Sequence, residues 1–474
     1  MKRIFLLFLA IVMLALPLSA CKKDEGTEAE TTADVQEESY YLNTLSKGDY
    51  TYEDFVIATI DSNCIPENGK ENGNAVDDQL YKRDTKMEEY FDIEMKYVEI
   101  STNNSEALPF MLQLANSYST GNIDFFIQRA DNLMNLAVNG VLYDLNSVKH
   151  LDLKNEWWNQ SMNENLALNE KLYVTAGPIA QWYFGAPMVL AFNKTLMTNY
   201  NVPDIYTTVQ SGNWTLEEME KICKDYGIAY DANAKSGVYP VSVFSSQAPY
   251  SMYVSAGGKL CNVDENGISV SLTGDATLTK LENILETVSP ATSFLGNLNN
   301  SRDVFITGGS LFWLSSLGYF GHYLPGSEIE YGIIPCPKAD TQQKEYISCA
   351  WPESNFCFSI PSGLPADRIG WTGLMAEAYA FLAHDLVRPV KYESFMKYQL
   401  AADPIASEMM DTIFAGLYFD FNTVLNFGGS RDIIGSALKG EVTVSRMSGL
   451  LRGVESQIKS DIAKYDAITK QTNE

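Results

Sequence analysis

The sequence predicts an α/β protein built from two or three domain-sized units, and three observations carry that expectation. The globular part opens on a short apolar run, Phe55-Val-Ile-Ala-Thr-Ile60, suited to a buried parallel strand. Helical and strand patterns then alternate along the chain, as successive βαβ units do. With 474 residues, 46% of them hydrophobic and 12% aromatic, there is ample apolar side chain for large cores.

Apolar spacing predicts a helix over Leu80 to Tyr90, a strand over Ile93 to Ile100, a helix over Ser105 to Ser117 and a strand over Ile123 to Ile127. A helix over Leu133 to Val138 is closed by Gly140. Lys171 to Ala176 and Met188 to Phe192 read as strands. Thr215 to Tyr226 reads as a helix, since Asn213-Trp-Thr215 offers capping oxygens and Glu217 and Glu218 suit its positive end. Leu278 to Val288 is helical, and Ser310 to Tyr319 reads as helical as well. Tyr331 to Ile334 is a strand stopped by Pro335 and Pro337, Phe356 to Ile360 another strand, and Trp371 to His384 a strongly periodic helix. Lys391 to Lys470 reads as mostly helical, broken near Asp403-Pro404 and Gly428-Gly429. Asn262-Val-Asp-Glu-Asn-Gly267 imitates the start of a calcium loop, but Thr273 stands where a bidentate Glu is needed, so a hairpin turn is expected.

Ahead of these elements, Lys2 and Arg3 lead into the apolar run Ile4 to Leu16 and then Leu18-Ser-Ala-Cys21. An apolar stretch of that length before small residues is a secretory signal, not a spanning helix. Leu-Ser-Ala-Cys resembles the lipobox of bacterial lipoproteins. That resemblance implies removal of residues 1–20, acylation of Cys21, and a mature chain held on a lipid bilayer facing outward. Residues 21–46 then form a flexible acid-rich linker. Removing residues 1–20 removes two of 34 basic residues and none of 60 acidic ones, leaving 32 against 60 and a net charge of −28. Such a field disfavours nucleic acid as a partner. The six cysteines after Cys21 are widely spaced with no Cys-x-x-Cys pair, and read as small buried hydrophobes.

Between Ile123 and Val148, "IDFFIQRADNLMNLAVNGVLYDLNSV" resembles the signature of family 1 extracellular solute-binding proteins, the sugar-type receptors of ABC importers. Further matches follow in that family's order. "KLYVTAGPIAQWYFGAPMVLAFNKTLM" is similar to its hinge strand, and "YNVPDIYTTVQSGNWTLEEMEKI" to its Pro-Thr-Trp segment. "VFITGGSLFW", "EIEYGIIPCPK" and Phe356 to His384 are similar to its return segments. The resemblance covers about Phe55 to Phe427. It implies a two-lobed periplasmic-binding-protein fold, type II-like, with α/β lobes joined by hinge crossings. Residues 47–179 and 305–383 would form lobe 1, 187–304 and 384–474 lobe 2, and 180–186 a hinge crossing.

It also implies a solute held between the lobes, and four loops that would touch it. After the strand ending at Ile127 come Gln128, Arg129, Asp131 and Asn132. Asp131 falls on a sugar-binding aspartate of the maltose-type receptors, while Asn132 and Gln128 replace an arginine and a tryptophan. Asp131 can equally cap the helix that follows. The crossing offers Gln181, Trp182 and Tyr183 in a Gly/Pro-bounded link. In Ser245-Ser-Gln-Ala-Pro-Tyr250, Tyr250 keeps the family's stacking ring, but Ala248 stands where those receptors carry a glutamate. Gly308-Gly-Ser-Leu-Phe-Trp313 places Trp313 either on the site or in the core. Trp351, Glu353 and Phe427 are weaker candidates. Such aromatic platforms with paired polar groups suit a carbohydrate.

His150, His322 and His384 lack ligand spacing, and the chain holds no Gly-x-Ser-x-Gly elbow, phosphate loop or His-Glu-x-x-His. The expectation is a monomeric receptor, without catalytic residues, cofactor or metal, that takes a carbohydrate, an oligosaccharide by preference, and hands it to ABC permease subunits. A membrane-anchored surface glycoside hydrolase, or a same-fold receptor for a peptide or polyamine, is the alternative. Among 60 acidic residues a glycosidase dyad is not excluded by sequence.

Overall fold

The computed structural model describes residues 41–60, 64–116, 123–226, 237–244, 248–264, 267–270, 274–288, 293–400, 403–437 and 444–470. The signal segment and Cys21 lie outside these residues. Two compact units divide the chain, 1–48 and 49–474. Of the first, residues 41–48 are described, as one helical turn followed by bends. Everything below concerns the second.

In chain order its strands are β1 (Asp54–Thr59), β2 (Glu94–Glu99), β3 (Phe125–Arg129), β4 (Met188–Asn193), β5 (Tyr239–Phe244), β6 (Cys261–Asp264), β7 (Gly267–Val270), β8 (Phe294–Gly296), β9 (Ser310–Ser316), β10 (Tyr331–Pro335), β11 (Ser348–Cys349), β12 (Phe356–Ser359) and β13 (Leu417–Tyr418). They form two main sheets, ordered β12-β3-β1-β2 and β10-β4-β9-β5-β8. In the first, β1 is parallel to β2 and β3, and β12 is antiparallel to β3. In the second, β9 lies antiparallel to β4 and parallel to β5. Helices between the strands cover these sheets, so the α/β prediction holds.

Two sheets mean two lobes, and the chain passes between them along neighbouring segments. The outgoing stretch meets the returning one in isolated antiparallel bridges at Thr175 with Phe358 and Pro187 with Ala350. Between them the Trp351 N–H donates to the Ala186 carbonyl at 3.0 Å. A third passage is helical. The helix Ala366–Leu382 packs on the first sheet, and wide π-helical turns, Ala383–Val387 and Pro389–Leu400, carry it on to the helices Leu317–Tyr323 and Pro404–Ala415. Pro389 fits there because the missing i−4 hydrogen bond is absent from π geometry.

One lobe assignment needs correcting. Residues 305–383 were expected in lobe 1, yet β9 and β10 lie in the second sheet, and the return to the first begins at β12. Those bounds followed from the family resemblance, and one element inside them differs as well. Ser310 to Tyr319 reads as helical, but residues 310–316 form the middle strand of a five-stranded sheet, buried on both faces, where alternation vanishes from the sequence. Lys171 to Ala176, read as a strand, instead holds two single bridges, Lys171 to Leu168 and Thr175 to Phe358. The expected hairpin at Asn262 to Gly267 is there, with β6 and β7 antiparallel and Asp264 opposite Gly267.

Two buried ionic groups fasten the first lobe. Asp124, at the head of β3, receives both arms of Arg368 at 2.5 and 2.7 Å and the Val56 N–H at 2.8 Å. Glu377 accepts from the indoles of Trp157 and Trp158, each at 3.1 Å, and from Asn155 at 2.6 Å. All six cysteines after Cys21 are buried and unpaired, and burial pushes the Cys64 thiol up to about 11. Among the described residues no helix is long and apolar enough to cross a membrane, and no cluster of His, Cys, Asp and Glu could hold a metal ion.

Candidate functional site

Open α/β sheets take ligands beyond the carboxyl ends of their strands. Here those ends come from both sheets: β1 precedes Glu67 and Asn74 in the chain, β3 runs into Arg129 to Asn132, and β9 into the helix Leu317–Tyr323. A cavity of about 710 Å³ lies along this junction, lined by Glu67 and Asp77, by Gln181 of the crossing, and by Lys391, Ser394 and Phe395 of the π-helical passage. Gln181, Lys391 and Phe395 also line an adjoining chamber of about 150 Å³, completed by Trp182, Gly318 and His322. The crossing touches the second lobe closely here, because a side chain at Gly185 would stand 2.9 Å from the Gly318 Cα.

Beside the chambers the end of β3 carries a compact polar group. Arg129 grips Asp131 through two nitrogens at 3.1 and 2.6 Å, and Asp131 also accepts the Asn132 N–H at 3.0 Å. Asp131 is thus committed locally, in the first helical turn. Glu353 comes within 3.8 Å of the same guanidinium. Tyr319 faces this group from the second lobe; burial, and after it the Glu353 charge, raises its pKa. Gln128 and Asn132 are buried. The Gln128 Oε1 accepts the Arg129 N–H at 2.8 Å, whereas its Nε2 meets no acceptor among the described residues. The Trp351 indole N–H is buried and unmet as well, with the Arg431 guanidinium 5.2 Å over its ring. Buried donors without acceptors cost free energy, on the order of 1–3 kcal/mol each, and commonly mark places where a ligand or water completes the network.

The sequence-derived candidates therefore separate. Gln128, Arg129, Asp131 and Asn132 lie together at the lobe junction with Glu353 and Trp351, and Gln181 and Trp182 line the chambers. Tyr183 belongs elsewhere: its hydroxyl accepts from Asn159 at 2.7 Å, and it lines a separate cavity of about 370 Å³ with His384 and Tyr392. Tyr250 is fully buried, donating to Asp420 at 2.8 Å and accepting from Asn422 at 3.0 Å. Trp313, mid-strand in β9, is also fully buried, with Phe305 at 5.8 Å and Phe320 at 4.7 Å. Both expectations of an open stacking ring are corrected: these rings are core. Phe427 stacks on Phe421 at 6.2 Å and is buried too. Ser245 to Gln247 lie outside the described residues. Sequence reading missed Tyr319, Glu67, Lys391 and Phe395. Had Ser310 to Ser316 been read as a strand, the residues just past its end, Tyr319 among them, would have been the natural candidates.

No family model matches the chain, and no curated protein sequence does. Solved structures do match by fold. The GacH receptor of Streptomyces glaucescens GLA.O, known unliganded and with acarbose, matches with a TM-score of 0.55 at 13% identity, over 86% of this chain and 99% of that one. UgpB from Mycobacterium tuberculosis, in complex with glycerophosphocholine, matches with a TM-score of 0.55 at 14% identity, over 87% and 99%. The architecture is therefore that of a two-lobed periplasmic binding protein. The GacH receptor and UgpB share that fold with this chain over nearly their whole length.

Proposed function

We propose that this chain is a lipid-anchored extracellular receptor of an ABC importer that captures a carbohydrate, an oligosaccharide by preference, between its lobes and delivers it to the permease. The observation that carries the reading is the junction itself. Gln181 and Trp182 of the crossing line a chambered crevice built from elements of both lobes, and the unmet donors of Gln128 and Trp351 lie at the same lobe junction. A polyhydroxylated solute offers acceptors for such donors and a CH face for Trp182 or Phe395. The solved neighbours were obtained with acarbose in one case and glycerophosphocholine in the other. Lobes joined by narrow crossings can rotate, and a ligand touching both favours the closed form.

Small-angle scattering together with calorimetry over an oligosaccharide panel tests this. A bound solute should lower the radius of gyration and be recovered intact. Turnover would favour the hydrolase, and binding without any change of radius would count against the hinged receptor. The anchor is tested apart from the cleft: Cys21→Ala should abolish acylation and hinder processing at that position. A mutant acylated like wild type would remove the lipoprotein element.

A further inference from the structure

We propose that the solute carries an anionic group, a carboxylate or phosphate on a hydroxylated body, and that Lys391 receives it. This rests on the crevice being the solute site. Lys391 lines both chambers, and its ammonium stands 5.8 Å from the Trp182 ring centre and 5.0 Å from that of Phe395. Rings attract a cation but accept no ordinary hydrogen bond. Nearby cations on the same passage are neutralised, since Arg388 and Lys397 each have Glu393 at 3.5 Å. For Lys391, no carboxylate forms an ion pair among the described residues, and burial holds its pKa below the usual lysine value.

A half-buried ammonium with three donors and no counter-charge, set between two aromatic rings, gains most from a partner that supplies both charge and acceptors. An anionic solute group does so through short charge-assisted bonds. The surroundings also fix which end enters where. Glu67 and Asp77 line the larger chamber, with Asp77 already accepting the Glu67 N–H at 2.5 Å. They would repel an anion and suit hydroxyl donors. Among the described residues no carboxylate lines the smaller chamber, whose volume of about 150 Å³ admits one small acidic group beside Trp182 and His322. The geometry thus seats the acidic group in the smaller chamber and the hydroxylated body in the larger one.

Calorimetry with trigalacturonate, its methyl ester, glucose 6-phosphate and glucose tests this, the first and third probes separating carboxylate from phosphate. At least one acidic probe should bind 10-fold or more tighter than its neutral counterpart, and the preference should weaken as salt rises. Lys391→Met should remove that preference and Lys391→Arg retain most of it, while the unliganded Lys391→Met protein melts no lower than wild type. Neutral probes binding as tightly as acidic ones, or an unchanged preference in Lys391→Met, would overturn the inference and leave the receptor reading intact. If no probe binds, acidic or neutral, and a wider oligosaccharide panel also fails, the carbohydrate reading falls and this inference with it.

Discussion

Arg368→Met should destabilise the unliganded protein by about 3–5 kcal/mol, because it strands a buried carboxylate. Asp124 is 0% exposed, and Arg368, at 1%, supplies its two shortest contacts, at 2.5 and 2.7 Å. What remains after the substitution is the Val56 N–H at 2.8 Å and the Thr372 hydroxyl at 3.2 Å, too little to hold a full charge away from water. The effect should reach beyond one contact, since Asp124 ties β1 to β3 and Arg368 ties the helix Ala366–Leu382 to both. Burial pushes the Asp124 carboxyl up even in the wild type. In the mutant the folded-state pKa lies further above the unfolded value, so the folded state binds the extra proton. The penalty should then be largest at neutral pH and shrink as pH falls toward that raised pKa. Urea unfolding at two pH values checks this, with Asp124→Asn/Arg368→Met recovering part of the loss. A single mutant within about 1 kcal/mol of wild type at pH 7 would show that the pair does not hold the first lobe together.

What the sequence disclosed, and what it hid, follows from how each signal is encoded. Where a short apolar run is bounded by polar residues or proline, it locates a strand even when both faces are buried, as at Phe55 to Ile60 and Met188 to Phe192. The Arg129 to Asn132 group was legible through the family resemblance, which sets a binding loop directly after such a strand. Ser310 to Ser316 was not, since no charged residue or proline separates Leu311-Phe-Trp-Leu314 from the helix that follows, and an apolar run without alternation fits either element. The family resemblance pointed to Trp313, which lies inside the strand, and not to Tyr319, which follows its end. Lys391 and Phe395 were hidden for another reason. Their place depends on a helix that begins in the first lobe and reaches the second, and no local pattern reports where such a helix ends up.

Trp313→Ala should cost about 3–5 kcal/mol of unfolding free energy in the absence of ligand, the range for emptying a core tryptophan site. The ring sits on the central strand of the second sheet, flanked there by β4 and β5, and is fully buried against Phe305 and Phe320. Neighbours held in a five-stranded sheet cannot close over the void, so little of the cavity term is relieved. Its indole N–H has no acceptor among the described residues, so removing it forfeits packing and no hydrogen bond. Trp182→Ala should behave in the opposite way. That ring is half-buried on the wall of the smaller chamber beside Lys391, so its loss should weaken solute binding roughly 5- to 150-fold, the range for an aromatic contact in a dry cleft, while the unliganded protein melts nearly as before. Unliganded melting curves paired with calorimetry separate the two. Should Trp313→Ala melt like wild type while binding weakens, the tryptophan serves the cleft and the assignment of β9 to the core of the second lobe is wrong.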